Sequence, residues 1–389
     1  MFPLNSAGHA DGRNEPCLRW SFPHEYKRTK NKEAIEMKKI SRRRFLQITG
    51  ISAAAVGLNA CGGSSGSTAG TAASGSASAA PAADGKKYTL RASSNQAATS
   101  TIGMALAKFV ELVNEKSAGR IKATANYGSE LGSQAEQVAM AIAGDLELVL
   151  STPGTGPGAY DGLEQMQMFE FPFLFEDNDQ YRRVLKGAED QVNELANTIG
   201  LSGMGGMSMG SRDMLTTVPV KTLADMKDLV MRGPNAIYNG MFECLGAAGI
   251  TMDWNDIYTS LSQNVCQGCE GSPVMLNASK LQDNAKYLAI TNHIIACVYF
   301  FFNTDWLESL PEDVRTLVTD CVKEAVDYQE SIDDDAQKDA LEQMKKDGVE
   351  VTEPADIQAW KDACAPMLDE YRAKGDAWAK FTDLLLSIK

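Results

Sequence analysis

Apolar and polar residues follow two distinct periods from residue 87 onwards. Residues 87–92 alternate and predict a strand, whereas the apolar positions of 102–113 recur at helical spacing. The same patterns predict a strand at 120–127, a helix at 133–143 opened by a Ser-x-x-Glu capping box, and a strand at 146–150. This β-α-β-α-β order predicts an α/β fold, in which helices cover the faces of a sheet.

The two periods continue through the second half of the chain. They predict a helix at 181–198, a strand at 201–208, a second α/β unit from residue 222, a loop at 266–273, and strands at 287–290 and 294–302. The densest aromatic run, at 169–175, is typical of a buried core, and a ligand cage is the alternative.

A long helix is predicted near the C-terminus. Ser309 and Glu312 match a second capping box, with Pro311 in the first turn. The pattern continues for roughly 35 residues, which at about 1.5 Å each give about 50 Å. This length exceeds one small domain, so the helix is predicted to span two lobes. Amphipathic helices at 354–368 and 371–387 are predicted to pack back on the body.

Residues 1–60 are predicted to be an export signal, with the start of translation at Met37. Ser41-Arg42-Arg43 resembles the core of a twin-arginine signal, and the apolar run after it is too short for a membrane span. The run ends in a lipobox-like sequence, and lipidation of Cys61 would tether the protein to the outer face of the membrane. Residues 61–85 are rich in Gly, Ser and Ala and predict a flexible linker. The alternative is a genuine cytoplasmic N-terminus with a basic patch.

The charge balance limits the possible partners. The whole chain has a formal net charge of −14, and residues 61–389 carry 26 Lys/Arg against 46 Asp/Glu, a net charge of −20. This acidity argues against a nucleic-acid partner. His293 is the single histidine after residue 60, so a catalytic triad or a histidine-based metal centre has little to build from. No enzyme activity, metal or other cofactor is predicted.

Arg232 is the first candidate for ligand binding. Residues 229–231 predict a short buried strand, and Gly233-Pro234 stops it, so Arg232 lies at a strand end. Ligands of open α/β sheets bind at the carboxyl ends of strands. A guanidinium there presents a charged fork that fits a carboxylate. The alternative is an arginine that pairs with a neighbouring acid on the surface.

The ordered set of motifs resembles a known family, the extracytoplasmic solute-binding proteins of tripartite ATP-independent periplasmic (TRAP) transporters, of the C4-dicarboxylate- and sialic-acid-binding type. The resemblance covers about 86–345. Seven segments carry it in order: Gly-Ser-Glu-Leu-Gly-Ser at 128–133 with Glu136, Gly-Asp-Leu-Glu at 144–147, Phe-Pro-Phe-Leu-Phe at 171–175, Met-Arg-Gly-Pro-Asn at 231–235, Asp-Ile-Tyr-Thr-Ser-Leu at 256–261, Gly-Cys-Glu at 268–270, and Thr-Asn-His at 291–293.

The resemblance implies a two-lobed periplasmic-binding-protein-like fold, with a hinge and a long helix across both lobes. Lobe I is expected to comprise 86–208 plus about 298–345, and lobe II 209–297 plus about 346–389. A ligand is expected in the cleft between them. The residues whose positions match ligand contacts of the family are Arg232 as the main carboxylate partner, Arg212 as a second arginine, Asn235, Trp254, Asn95, Ser151 and, as a weaker candidate, Glu270.

Three departures from the family pattern lie near this cleft. Gly271 stands where the family often has Asn, Gln267 stands for an Asp, and Trp254 replaces the commoner Phe. These changes predict a less polar ligand than a C4-dicarboxylate or a sugar acid. His293 is expected to be a structural, hydrogen-bonded histidine, and Glu270 either contacts the ligand or a cation or pairs with a buried base.

The sequence therefore predicts an extracytoplasmic, lipid-anchored binding protein that captures a small organic acid and delivers it to TRAP membrane subunits. Two alternatives are open. One is the binding protein of an ABC-type importer, which would share the fold class. The other is a thiol-active enzyme that uses Cys266 and Cys269, although no second cysteine pair or nearby histidine completes a metal site.

Overall fold

The computed structural model describes residues 85–388. The predicted export signal, Cys61 and the predicted linker up to residue 84 lie outside these residues. Within them, the mixed α/β class is confirmed. The strands are β1 (Tyr88–Ser94), β2 (Ile121–Asn126), β3 (Leu148–Ser151), β4 (Leu201–Thr216), β5 (Val230–Gly233), β6 (Ala248–Thr251), β7 (Gly268–Gly271), β8 (Tyr287–Asn303) and β9 (Glu350–Thr352).

Twelve α-helices accompany these strands in the described part of the chain. They are α1 (Thr101–Lys116), α2 (Gln134–Ala143), α3 (Asn178–Gly187), α4 (Glu189–Asn197), α5 (Ala236–Cys244), α6 (Ile257–Ser262), α7 (Pro273–Ala278), α8 (Thr304–Glu308), α9 (Glu312–Lys346), α10 (Ile357–Cys364), α11 (Pro366–Arg372) and α12 (Asp376–Ser387). None of the helices described here has both the length and the apolar character that a bilayer span needs.

Helix starts follow local capping chemistry, with one exception to the prediction. At α2, Ser133 Oγ accepts from the Glu136 amide (3.3 Å) and Glu136 Oε2 accepts from the Ser133 amide (2.8 Å), so this capping box is confirmed. The box predicted at Ser309 is wrong, because Ser309 ends α8 and its hydroxyl donates to the Trp306 carbonyl. The long helix α9 begins directly after Pro311 instead.

All nine described strands belong to one sheet, in the order β2-β1-β3-β8-β4-β7-β5-β6, with β9 paired to β8. β4 and β8 run antiparallel as its two long central strands. β3 pairs with the C-terminal part of β8, whereas β9 pairs with its N-terminal part and β7 pairs with the C-terminal part of β4. The β1–β3 group and the β5–β7 group are therefore attached at opposite ends of one two-stranded ribbon.

The ribbon is irregular at its middle. The register of β4 against β8 shifts between Ser208 and Ser211, where Gly210 has a φ of 79°, and again between Arg212 and Met214. In β8 the irregular segment is 290–293, and Asn292 has a φ of 44°. The sequence predicted only the first half of β4, as a strand at 201–208, and it predicted two separate strands in place of β8, at 287–290 and 294–302. The pairing of residues 71 to 102 positions apart accounts for the continuity of β4 and β8, because tertiary pairing overrides local strand propensity.

Helix α9 lies along both ends of the ribbon. Near its start, Asp313 pairs with Arg120 of the first lobe (2.5 Å). Near its end, Met344 packs in the cluster that contains Leu215 and Leu288, and the following Asp347 accepts from Gln282 (3.2 Å). The predicted helix spanning both lobes is thus observed.

Three further predictions need correction. The helix predicted at 181–198 is two helices, α3 and α4, which meet at Ala188. The loop predicted at 266–273 contains β7, since this short segment pairs with both β4 and β5. The helix predicted at 354–368 is divided into α10 and α11. The lobe boundaries stay a prediction. Helix α12, which was assigned to the second lobe, also contacts the first lobe, where Phe381 packs edge-on against Phe169 with 5.5 Å between the ring centroids.

Candidate functional site

A cavity of about 280 Å³ lies where the ends of β1, β3, β5 and β6 meet the middle of β4. We call it the cleft cavity. Its lining residues are Asn95, Gln96, Gln134, Ala135, Thr152, Thr155, Glu170, Met209, Arg212, Arg232, Pro234, Tyr238, Thr251, Met252, Asp253, Trp254 and Met275. Six of them lie one or two residues after the end of a strand, as expected for ligand sites of open α/β sheets, namely Asn95, Gln96, Thr152, Pro234, Met252 and Asp253.

Arg232, on β5, is held by its inner nitrogen. Its side chain is only 5% exposed, and Nε donates to the Met252 carbonyl (2.9 Å). Nη1 lies 3.6 Å from Glu270 Oε1, and neither Nη1 nor Nη2 makes a hydrogen bond within the described residues. The guanidinium also lies 5.5 Å from the ring of Trp254. Two charged donors of Arg232 are therefore left to meet a ligand.

Arg212, on β4, is already engaged. Its Nε and Nη2 donate two hydrogen bonds to the carboxylate of Glu270 as a bidentate pair, with Nη2 at 2.8 Å from Oε1. Nη2 also donates to the Glu270 carbonyl (3.1 Å). Burial alone would raise the pKa of Glu270, but the two arginines lower it, so Glu270 is ionised. Arg212 is thus neutralised inside the protein, whereas Arg232 is less fully paired.

Glu270 lies behind the arginines and does not line the cleft cavity. Two roles were considered for Glu270 from the sequence, contact with a ligand or cation and pairing with a buried base. The structure favours the second role, because Glu270 pairs with Arg212 and Arg232. His293 lies nearby, with Nε2 4.0 Å from Glu270 Oε2 and Nδ1 2.8 Å from the Thr291 hydroxyl. Burial lowers the pKa of His293 to about 4, so the ring is neutral at pH 7 and serves a structural role.

Four of the seven predicted site residues line the cleft cavity: Arg232, Arg212, Trp254 and Asn95. Asn235 does not line it, because its side chain caps α5 by accepting from the amides of Ile237 (3.0 Å) and Tyr238 (3.4 Å). Ser151 is also outside the lining. It is fully buried, its hydroxyl donates to the Thr152 carbonyl (3.3 Å), and the polar groups exposed there belong to Thr152 and Thr155.

A polar network that our sequence analysis missed lines the first-lobe side. Gln134 accepts from Asn95 Nδ2 (3.2 Å) and donates to the hydroxyls of Thr152 (3.0 Å) and Thr155 (2.7 Å). Gln134 occupies the first position of α2, directly after the Ser133 cap. The capping box therefore marked the right segment, although its pattern carries no information about which side chain enters the cavity.

Glu170 is the most informative missed residue. It ends a 3-10 segment, Glu164–Glu170, between the buried Phe169 and Phe171, in the aromatic run that we predicted as core. Phe173 and Phe175, at the other end of that run, are only partly buried and border a separate cavity. Burial raises the pKa of Glu170 to about 7 against the opposing influence of Arg212. A single acid inside the densest aromatic run was the available signal.

Gly271 lies next to Trp254, and the absence of a side chain at Gly271 leaves space for the indole ring. A Cβ at Gly271 would lie 3.3 Å from Trp254 Cη2 and 3.0 Å from Leu276 Cδ2, so a larger residue would displace the indole. Trp254 is fixed in this place by its Nε1 hydrogen bond to Ser279 (3.0 Å) and covers Arg232. The two departures noted in the sequence therefore form one packing arrangement.

The described residues give little support to a thiol enzyme or a metal centre at this site. Burial raises the pKa of Cys266 and of Cys269, which opposes formation of a reactive thiolate, and Cys269 lies within β7. In residues 85–388 no three His, Cys, Asp or Glu side chains group in a way that could hold a metal ion. The arrangement of this site is suited to binding an anion.

Two α/β groups share one central ribbon, and a polar cavity lined by the incompletely paired Arg232 lies between them. This arrangement defines a solute-binding protein. Residues 92–374 match the sequence profile of bacterial extracellular solute-binding protein family 7. The chain belongs to this family. The predicted two-lobed fold and the predicted relationship to TRAP solute-binding proteins are confirmed, and the family consists of binding proteins rather than enzymes.

Individual relatives agree with this assignment. The 2,3-diketo-L-gulonate-binding periplasmic protein YiaO of Escherichia coli is 27% identical over 279 residues, 71% of this chain and 84% of that protein. The C4-dicarboxylate-binding periplasmic protein DctP of Rhodobacter capsulatus is 24% identical over 274 residues, 69% and 81% of the two chains. The structure of a TRAP periplasmic solute-binding protein from a Sulfitobacter species, with bound β-D-galacturonate, matches with a TM-score of 0.73 at 22% identity, covering 77% of this chain and 99% of that one.

Proposed function

We propose that this protein captures a small hydroxylated organic acid outside the cytoplasm and delivers it to TRAP membrane subunits. The observation that carries the proposal is the pair of terminal Arg232 nitrogens, which line the cleft cavity and make no hydrogen bond within the described residues. A carboxylate there would receive two charge-assisted hydrogen bonds from one planar group. The TRAP family assignment favours this function over that of an ABC-type importer.

The lining supports a hydroxylated ligand, contrary to the less polar one that our sequence analysis expected. Nine polar side chains besides the two arginines border the cleft cavity, namely Asn95, Gln96, Gln134, Thr152, Thr155, Glu170, Tyr238, Thr251 and Asp253. Several of these side chains bond to one another, and a ligand hydroxyl can join their network, whereas an apolar ligand would displace water from them without offering a hydrogen bond. Relatives named for a keto-sugar acid and crystallised with a hexuronate agree with this chemistry.

The ligand proposal is tested by isothermal calorimetry with D-glucuronate, L-gulonate and D-erythronate, each beside its neutral counterpart, for example D-glucose. We expect binding of at least one acid and none of the neutral sugar. Equal binding of an acid and of its neutral counterpart would contradict the proposal, since the carboxylate would then contribute nothing.

We also propose export by the twin-arginine route and lipidation at Cys61, on the basis of residues 41–61. Arg42→Lys with Arg43→Lys should leave precursor in the cytoplasm, and Cys61→Ala should release the protein from the membrane fraction. Fractionation followed by immunoblotting measures both effects. Unchanged location of both variants would contradict this part of the proposal.

A further inference from the structure

Glu170 is the buried acid that lines the cleft cavity together with both arginines, whereas Asp253, the other acid of the lining, is exposed. Glu170 is 2% exposed, and within the described residues it forms no ion pair shorter than 4.0 Å. Arg212 is not available to it, because Glu270 occupies that guanidinium. A buried carboxyl group without an ionic partner thus faces the space that a ligand would fill.

The position of Glu170 is fixed by its surroundings. Phe169 and Phe171 are buried on either side of it. A Cβ at Gly154 would lie 2.8 Å from Glu170 Oε2, so the glycine leaves the room that the carboxyl group occupies. Asn235 Nδ2 lies 3.4 Å from the same oxygen. These contacts place the carboxyl group of Glu170 at the lining of the cleft cavity.

Tyr238, on α5, adds a second polar group to this side of the cavity. Its hydroxyl is buried and lies near enough to Glu170 to lower the pKa of that carboxyl group, although no hydrogen bond of normal geometry joins the hydroxyl to any of the described residues. The ring lies 5.6 Å from the Arg212 guanidinium. A buried hydroxyl without a partner costs free energy, which a ligand hydroxyl or a water molecule would recover.

The charges of the site leave room for one anionic group. Arg212 and Glu270 neutralise each other, so Arg232 is the cation left for a ligand carboxylate. Glu170 and Arg232 line the same cavity of about 280 Å³, so a ligand anchored on Arg232 extends into the space that Glu170 borders. A second carboxylate would meet a like charge there, whereas a hydroxyl would find an acceptor.

We propose that Glu170, with Tyr238 beside it, selects hydroxylated monocarboxylates and rejects dicarboxylates of the same carbon skeleton. Glu170 accepts a hydrogen bond from a ligand hydroxyl and repels a second carboxylate. The inference rests on the proposed function, because it takes the ligand to be an acid anchored on Arg232. It specifies the class of that acid.

The ionisation of Glu170 makes the selectivity depend on pH. Burial raises its pKa to about 7, with Glu270 adding to the shift and Arg212 opposing it. Arg212, Arg232 and the ionised Glu270 keep their charges near pH 7, and His293, with its pKa lowered to about 4, is neutral. Below pH 7, a protonated Glu170 donates a hydrogen bond to a second carboxylate, so discrimination against dicarboxylates weakens.

The test compares two acids that differ at one carbon. L-Gulonate and D-glucarate share a skeleton, with a primary alcohol in the first where the second has a carboxylate. D-Erythronate and meso-tartrate form the same comparison with four carbons. By calorimetry at pH 8, we expect the wild-type protein to bind the better monocarboxylate roughly a hundredfold more tightly than its matched dicarboxylate. At pH 6 the ratio should fall by about tenfold.

Glu170→Gln removes the charge and keeps the shape. In this variant the ratio at pH 8 should fall to within about tenfold, and its change between pH 6 and pH 8 should disappear. Glu176→Gln is the control, since Glu176 is exposed and lies outside the cleft cavity. It should keep the wild-type ratio and pH profile. Tyr238→Phe should weaken monocarboxylate binding several-fold and keep a pH-dependent ratio, with the midpoint moved to higher pH, because its hydroxyl lowers the pKa of Glu170.

Two results would overturn the proposal and leave the proposed function intact. One is a wild-type protein that binds D-glucarate or meso-tartrate at least as tightly as its partner at pH 8, with binding still abolished by Arg232→Ala. The other is a Glu170→Gln variant with the wild-type ratio and pH profile. Failure of every acid to bind would instead overturn the proposed function, and this inference with it.

Discussion

Replacing Arg232 tests whether this arginine belongs to the ligand site or to the fold. It is buried, yet its own protein contacts are few: one hydrogen bond from Nε and a 3.6 Å approach to a carboxylate that Arg212 already holds. Burial lowers the pKa of Arg232, which indicates that the charged form is poorly compensated in the free protein. Such an arginine is expected to serve binding at the expense of stability.

The expected magnitude follows from these contacts. Truncating one partner of a buried, hydrogen-bonded charge pair costs about 2–5 kcal/mol, so Arg232→Ala should weaken acid binding by roughly 30-fold to several-thousand-fold. Arg232→Lys should recover only part of this loss, because an ammonium keeps the charge and loses the fork and the bond to Met252. Arg232→Met should leave the free energy of unfolding of the ligand-free protein within about 1 kcal/mol of the wild type.

Isothermal calorimetry with the best-bound acid and urea unfolding without ligand measure the two quantities separately. Arg183→Ala is the control, since this arginine is exposed and remote from the lining. It should change neither quantity. Loss of about 3–5 kcal/mol of stability in Arg232→Met, with acid affinity retained by the folded fraction, would refute the reasoning and make Arg232 a structural ion-pair residue.

Two further predictions concern neighbours of the site. Gly271→Asn should displace Trp254 and weaken acid binding by about tenfold or more. Adding Trp254→Phe should restore most of the lost affinity, which a double-mutant cycle by calorimetry measures. A cycle without any restoration would contradict the packing argument. Asp213 accepts from the amides of Thr291 (2.9 Å) and Asn292 (3.0 Å), and burial raises its pKa to about 7. Because its folded pKa exceeds the unfolded one, the contribution of Asp213 to the free energy of unfolding is full below about pH 4 and is lost as pH rises through 7. Relative to the wild type, Asp213→Asn should therefore gain about 2–4 kcal/mol between about pH 4 and pH 8 in urea unfolding, and parallel pH profiles of the two proteins would refute this.

The sequence predicted the local elements of the first lobe well, because their signals are local. The capping box at Ser133 needs only residues within one helical turn, and it is present as predicted. The same pattern at Ser309 misled, since α8 ends there and Pro311 starts the next helix. The pattern alone could not reveal that a short helix precedes it.

The central ribbon could not be predicted in the same way. Gly210 and the Thr-Asn-His segment at 291–293 resemble breaks, yet β4 and β8 continue through them. Their continuity depends on pairing between distant residues, which local periodicity does not report. The strand β7 was missed for the same reason, because its Gly- and Cys-containing sequence acquires strand character only between β4 and β5.

The candidate site was predictable where a backbone break positions a side chain. Arg232 stands before Gly233-Pro234 at a strand end, and that placement is observed. Glu170 and Tyr238 lie within apolar segments, where a polar residue is expected to be buried with a partner. Whether such a residue faces a cavity or the core depends on the packing of both lobes. The sequence could therefore identify the anchor for a carboxylate but not the groups that discriminate between acids.

Closure of the lobes is expected to depend on the irregular middle of the ribbon. Helix α9 is attached to this segment through Gln329 Nε2, which donates to the Ser208 carbonyl (2.8 Å), and Gln337 Nε2, which donates to the Met209 carbonyl (3.1 Å). A ligand that contacts both lobes favours the closed arrangement by its differential affinity for the two states. Small-angle scattering should therefore give a smaller radius of gyration with the best-bound acid.

Gly210→Ala tests the role of this segment without touching the lining. Gly210 has a φ of 79°, and a Cβ there would lie 2.6 Å from Gln337 Nε2. Gly200→Ala is matched to it, with a φ of 82° and no atom within 4 Å of the new methyl group. Both should lose about 1 kcal/mol or more of stability from backbone strain. Only Gly210→Ala should also weaken acid binding and alter the change in radius of gyration, because it disturbs the contact between the ribbon and α9. Equal effects of the two substitutions on affinity would place the hinge elsewhere.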